Sequence, residues 1–130
     1  MQPETGRTLW YILPTVNTKA FERVLYSFAN AVGACADKRV LLVLDGAGWH
    51  VSRDLVVPAG LELVLLPPYS PELQPAEHLW CLSDELLFNR CFTTLDELQH
   101  TLAEQCVRLM TQPQRVKDHT LFHWWPRLCQ

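Results

Sequence analysis

The stretch RVLLVLDGAGWH, residues 39–50, decides the reading of this chain. Val40, Leu41, Leu42, Val43 and Leu44 run without a break into Asp45, and Gly46, Gly48, Trp49 and His50 follow. An unbroken apolar run of this length suits a strand covered on both faces, as in a parallel sheet. A lone carboxylate is costly to bury, so Asp45 is expected where the strand emerges and meets a cation or hydrogen-bond donors. Open α/β sheets place their sites at that point, beyond the carboxyl ends of the strands. An Asp that merely caps the next turn is the competing structural reading, with Gly46 and Gly48 letting the backbone turn sharply.

Upstream, RTLWYILP (Arg7 to Pro14) is rich in aromatic and β-branched residues and reads as a strand. NTKAFERVLYSFANAVG then places Ala20, Phe21, Val24, Leu25, Phe28 and Val32 on one helical face, with Asn17 or Thr18 as cap and Gly33 as stop. Strand, helix and strand in this order predict a β-α-β unit with parallel neighbours. Downstream, LELVLLP (Leu61 to Pro67) is a third strand, ended by Pro67 and Pro68. A helix opens at Pro75 and is expected to reach about Asn89. The last clear helix, TTLDELQHTLAEQCVRLM, starts with Thr94 and Glu97 as a capping box and carries a stripe of Leu95, Leu98, Leu102, Cys106 and Leu109. From Gln112 onward the chain reads as a tail ending in an aromatic cluster, LFHWWPRL, expected to cover the core, with a docking strip as the alternative. The predicted organisation is a main domain over residues 1–111 and a tail over 112–130.

A net charge of −3 over 130 residues argues against a free-standing nucleic-acid binder, which carries a basic excess. There is no apolar run long enough to span a bilayer and no secretory leader near Met1, so a cytoplasmic protein with no membrane association is expected. The five cysteines lack any C-x-x-C spacing; they are expected mostly in the core, and no zinc site is expected.

Several chemistries fail at Asp45 on detail. A dinucleotide fingerprint needs a third glycine opening a helix, where Trp49 and His50 stand. A phosphate-cradling loop needs Gly-Lys-Ser/Thr, an acyl-transfer elbow needs Ser between glycines, and a phosphatase of the aspartyl type needs a second Asp where Ala47 stands. The second candidate acid is Glu77 in LPPYSPELQPAEHLW, near the start of the helix that opens at Pro75. A carboxylate in a first helical turn is also what the helix dipole favours on its own. The lead-in, however, is stiffened by Pro67, Pro68, Pro71 and Pro75, and a stiff lead-in suits a ligand that must be held in place. Asp45 and Glu77 are compatible with Mg²⁺, which takes one or two protein carboxylates and completes its shell with water and phosphate oxygens.

LVLDGAGWH followed by LELVLLPPYSPELQPAEHLW resembles the catalytic core of bacterial insertion-sequence transposases of the mariner-like superfamily, the DDE-superfamily endonucleases. The likeness extends to TGRTLWYILPTVNTKAFERVL before it and NRCFTTLDEL after it, up to about Met110. The resemblance implies an α/β, ribonuclease H-like fold, here N-terminally truncated, with a mixed sheet flanked by helices. It also implies three carboxylates holding two Mg²⁺ or Mn²⁺ ions for DNA strand cleavage and transfer in transposition. By position, Asp45 matches the second carboxylate and Glu77 the third, with His50 and Trp80 as their companions. Trp80 is expected to pack one turn after Glu77 and steady it, and His50 to orient a ligand or to be a satisfied structural residue. The first carboxylate and the helix-turn-helix that reads transposon ends have no counterpart, and Glu4 does not substitute for the former.

Arg53 is the best-placed cation for DNA, while Asp84 and Glu85 stand where relatives carry Lys or Arg and would repel phosphate. Two functions follow: a C-terminal part of a transposase acting with a separate N-terminal fragment on transposon-end and target DNA, or a non-catalytic remnant that self-associates or interferes with a full-length relative. Under either, an exposed sheet edge predicts a homo-oligomer.

Overall fold

The computed structural model describes residues 1–48, 50 and 52–123, and the chain in it forms two compact units. One is the continuous segment Leu13–Gln74; the other joins Met1–Ile12 to Pro75–Gln130.

In the first of these, helix α1 (Thr18–Val32) has the predicted face and the predicted ends. Asn17 Oδ1 accepts from the Ala20 amide at 2.9 Å, and Gly33, at φ 68°, turns the chain out of the helix. Lys38 adds a second stop, its Nζ donating to the Val32 carbonyl at 2.6 Å. Strands β1 (Val40–Leu44) and β2 (Leu61–Leu65) pair in parallel, Val40 opposite Leu61 through Leu44 opposite Leu65. Leu25 and Ala29 of α1 pack with Leu61, and Val40, Leu42, Leu63 and Leu55 close round them. The connection from β1 to β2 is anchored on α1, because the Val56 amide donates to Glu22 Oε1 at 2.9 Å. Gly60, at φ 83°, lies so close to the Cys35 backbone that a Cβ has no room there.

Three expectations are corrected here. Arg7–Pro14 is not a strand: Arg7 only bridges back to Gln2 around Gly6, the segment then runs on without a ladder, and the division between the units falls at Ile12. The parallel pair therefore consists of the second and third predicted strands, and α1 precedes the sheet instead of crossing over within it. Nor is β1 covered on both faces. Val40, Leu42 and Leu44 are half-buried, whereas Leu41 is 64 % exposed and Val43 is exposed too, so only the α1 side is packed. The described residues hold a two-stranded parallel sheet, and the mixed sheet is not seen among them.

The second unit is built on Leu79, Leu82, Leu109 and Val116, with Met1 and Trp10 packed against them. Its helices are α2 (Leu79–Asp84), α3 (Leu95–Met110) and α4 (Pro113–Thr120). The segment expected as one helix from Pro75 to Asn89 is instead a 3₁₀ turn (Pro75–His78), then α2, then turns that end at Asn89 with φ 58°. In α3 the cap holds as predicted, Thr94 Oγ1 accepting from the Glu97 amide at 3.1 Å, but Glu97 reaches back to Thr93, not Thr94. The inward face of α3 is more polar than the leucine stripe suggested, with Thr101 and Gln105 buried beside Cys106 and Leu109, while Leu95 is exposed. Gln105 stays inside because its Nε2 donates to the Leu82 carbonyl at 2.7 Å, fastening α3 to the end of α2.

The predicted tail contains α4, with Pro113 in its first turn, and Val116 and Thr120 are fully buried. Of the aromatic cluster, Phe122 packs edge-on against His78 at 4.8 Å between ring centroids; Trp124 to Gln130 lie outside the described residues. Cys106 alone of the described cysteines is buried, which pushes its thiol up; Cys35, Cys81 and Cys91 are exposed, contrary to expectation.

Leu25→Ala and Leu109→Ala each remove a fully buried side chain, and each is expected to cost about 2–5 kcal/mol in urea denaturation. Gly6→Ala is expected to be at least as damaging. Its φ of 69° is unfavourable for alanine, and the added methyl collides with the Pro113 carbonyl that begins α4.

Candidate functional site

Asp45 is the first residue past the carboxyl end of β1, and its carboxylate is fixed by its own loop. Oδ1 accepts from the Ala47 amide at 3.1 Å, which makes an Asx turn, and lies 2.7 Å from His50 Nδ1. The same His50 nitrogen lies 3.1 Å from the Asp45 carbonyl, and the His50 amide donates to the Ala47 carbonyl at 2.8 Å. Phe21 of α1 backs the imidazole at 4.5 Å between centroids. The His50 side chain is consequently only 14 % exposed, against 56 % for Asp45. The expectation that Gly46 and Gly48 make the turn is corrected: neither has a positive φ, and a Cβ on either meets open space. Among the described residues the turn is closed by the Asp45 side chain and His50, and the Asp45 side chain stays more than half exposed.

Glu77 is half-buried within the 3₁₀ turn Pro75–His78, which follows the short 3₁₀ turn Pro71–Leu73. Pro75 is buried and seats the turn. Trp80, three residues on, donates from its indole Nε1 to Glu77 Oε2 at 3.1 Å. Steadying is therefore done by a hydrogen bond; the expected packing of Trp80 is absent, since the residue is 55 % exposed. His78 points to Phe122 instead.

Asp45 belongs to the unit Leu13–Gln74 and Glu77 to the unit that contains Pro75 onward. Arg53 is exposed on the connection after His50 and makes no ion pair among the described residues. Asp84 accepts from Ser83 Oγ at 3.1 Å, and Glu85 is engaged by Arg115 of α4 and by Gln105 Nε2 at 3.4 Å. Sequence reading missed that pairing because α4 was not anticipated; it means Glu85 is neutralised internally. Phe21, the backing of His50, was legible only as one more position on the apolar face of α1. Among the described residues no three His, Cys, Asp or Glu side chains gather as a metal cluster.

A family model described as DDE superfamily endonuclease matches residues 1–99, a span that contains both acids. The chain belongs to the DDE superfamily endonuclease family. An uncharacterized protein of Sinorhizobium fredii (strain NBRC 101917 / NGR234), y4pE/y4sA, is 34 % identical over 123 residues, covering 94 % of this chain and 90 % of its own length. No solved structure gives a significant match. DDE endonuclease domains generally use divalent metal ions, and the small α/β architecture of helices with a parallel sheet is consistent with such a domain. No helix among the described residues is long and apolar enough to cross a membrane.

Asp45 and Glu77 each keep one oxygen, Asp45 Oδ2 and Glu77 Oε1, without a hydrogen bond among the described residues, and carboxylate oxygens are the ligands that hard divalent cations take. Asp45→Ala removes the Ala47 hydrogen bond and the His50 contact at Oδ1 and is expected to cost about 1 kcal/mol in denaturation. Asp45→Asn keeps an oxygen for the Ala47 amide and should cost clearly less.

Proposed function

We propose that this DDE endonuclease chain is the C-terminal part of the catalytic core of a mariner-like insertion-sequence transposase with a ribonuclease H-like fold. Asp45 and Glu77 hold Mg²⁺ or Mn²⁺, and the reaction is DNA strand cleavage followed by transfer. The observation that carries this reading is that each acid of the family-matched segment is fixed by one oxygen and offers the other. Bound divalent ions supply activation of the attacking oxygen and stabilisation of the leaving one.

The chain's own residues contribute position. Asp45 is presented at a strand end by the Ala47 amide and His50, and Glu77 by Trp80 on a proline-seated turn. The open ground over Gly46 and Gly48 admits a phosphodiester beside Asp45, and Arg53 supplies a cation for its phosphate. The first carboxylate implied by the family resemblance comes, in this reading, from a partner polypeptide that carries the opening strands. Among the described residues the two-stranded sheet has no further strand on either edge, which supports such an addition.

The test is Mn²⁺-dependent nicking of labelled DNA bearing the element's ends, with this chain alone and with the upstream-encoded fragment added. Nicking is expected in the mixture, falling at least about a hundredfold in Asp45→Asn and in Glu77→Gln, as for loss of a group that acts in the transition state. Glu72→Gln and Asp54→Asn, at acids that match no catalytic position, should leave the rate unchanged. Nicking that survives Asp45→Asn or Glu77→Gln contradicts the assignment. Absence of nicking from folded protein in every mixture favours the non-catalytic reading.

A further inference from the structure

We propose that Phe122 is a positioning residue for Glu77, acting through His78 on the turn that presents the acid. The inference rests on the reading of Glu77 as a group that takes part in the reaction. Phe122 is the first aromatic of the C-terminal cluster, and it lies beyond residues 1–99, the span that the family model matches.

Glu77 stands on a four-residue 3₁₀ turn that leads into the six-residue α2. Segments this short do not hold themselves. The hydrogen bonds of a 3₁₀ turn are poorly aligned, and six helical residues fall far below the length at which an isolated helix persists. The direction of Glu77 is therefore set by what packs on the turn and on α2. Helix α3 engages α2, where Gln105 Nε2 donates to the Leu82 carbonyl. Helix α4 engages both α2 and the turn. Val116 of α4 shares a buried cluster with Leu79, and Thr120 is fully buried at the end of α4, its hydroxyl donating to the Val116 carbonyl at 2.8 Å. Leu121 leaves the helix in an extended conformation, and Phe122 then meets His78 edge to face, at 4.8 Å between centroids and 78° between ring planes. His78 follows Glu77 directly and ends the turn, so Phe122 bears on the segment of backbone from which Glu77 projects. Trp80 holds the carboxylate end of Glu77, and Phe122 steadies its backbone end.

The Trp80 indole N–H, which donates to Glu77 Oε2, reports where the carboxylate stands without DNA or metal. Its exchange with solvent is followed by nuclear magnetic resonance in the full chain, with Trp80→Phe identifying the signal. Phe122→Ala is expected to speed that exchange about tenfold, the effect of losing about one hydrogen bond. Phe122→Tyr, which keeps the ring, should restore the native rate. His78→Ala is expected to speed exchange as well, and the two changes together to add nothing, since they remove one contact. Phe122 lies outside the buried core, so its replacement leaves the fold intact. In the nicking mixture Phe122→Ala should lower kcat and leave KM unchanged. Exchange that Phe122→Ala leaves unmoved, or effects of the two changes that simply add, overturn the inference and leave the reading of Glu77 standing. Nicking that is absent, or indifferent to Glu77→Gln, overturns that reading and this inference with it.

Discussion

The 2.7 Å contact between His50 Nδ1 and Asp45 Oδ1 is the constraint on which the loop after β1 depends. It closes that loop without help from glycine backbone geometry, and it orients the Asp45 carboxylate. Behind it stands the packing of α1: Phe21 holds His50, and two positions along the same helix face Leu25 and Ala29 hold the sheet. Glu22, beside Phe21, anchors the rest of the connection through the Val56 amide. A short amphipathic helix thus supports both the strand that delivers the acid and the residue that orients it.

The other acid is delivered by different means. Glu77 sits on a 3₁₀ turn whose Pro75 is buried, at the start of a six-residue helix whose buried face, Leu79 and Leu82, is locked to α3 by Gln105. Arg115 engages Glu85 from α4, so an acid that in isolation would repel a phosphate backbone is spent on joining helices within its own unit.

What could be read from the sequence was whatever a local rule governs. Asn17 and Gly33 bound α1, Thr94 caps α3, and the parallel strands β1 and β2 lie where the apolar runs put them, because caps and short apolar runs are decided by neighbours in the chain. Arg7–Pro14 failed because a strand needs a partner, and no local pattern reveals whether one exists. The bare outer side of β1, with Leu41 exposed, escaped for the same reason: an apolar run states what a residue tolerates, not what covers it. The two acids were singled out by motif order. Their orientation was hidden, since the tying of Oδ1 by His50 and of Oε2 by Trp80 is a matter of rotamers.

The proposal that Asp45 and Glu77 are metal ligands is tested most directly by replacing Mg²⁺ with Fe²⁺. With ascorbate and peroxide, bound Fe²⁺ releases hydroxyl radicals that cut the nearby polypeptide backbone, and mass spectrometry locates the cuts. The account predicts cuts beside both Asp45 and Glu77, suppressed by Mg²⁺ and lost together in either Asp45→Asn or Glu77→Gln. Cuts at only one of the two acids, or cuts near one that persist when the other is substituted, would contradict it.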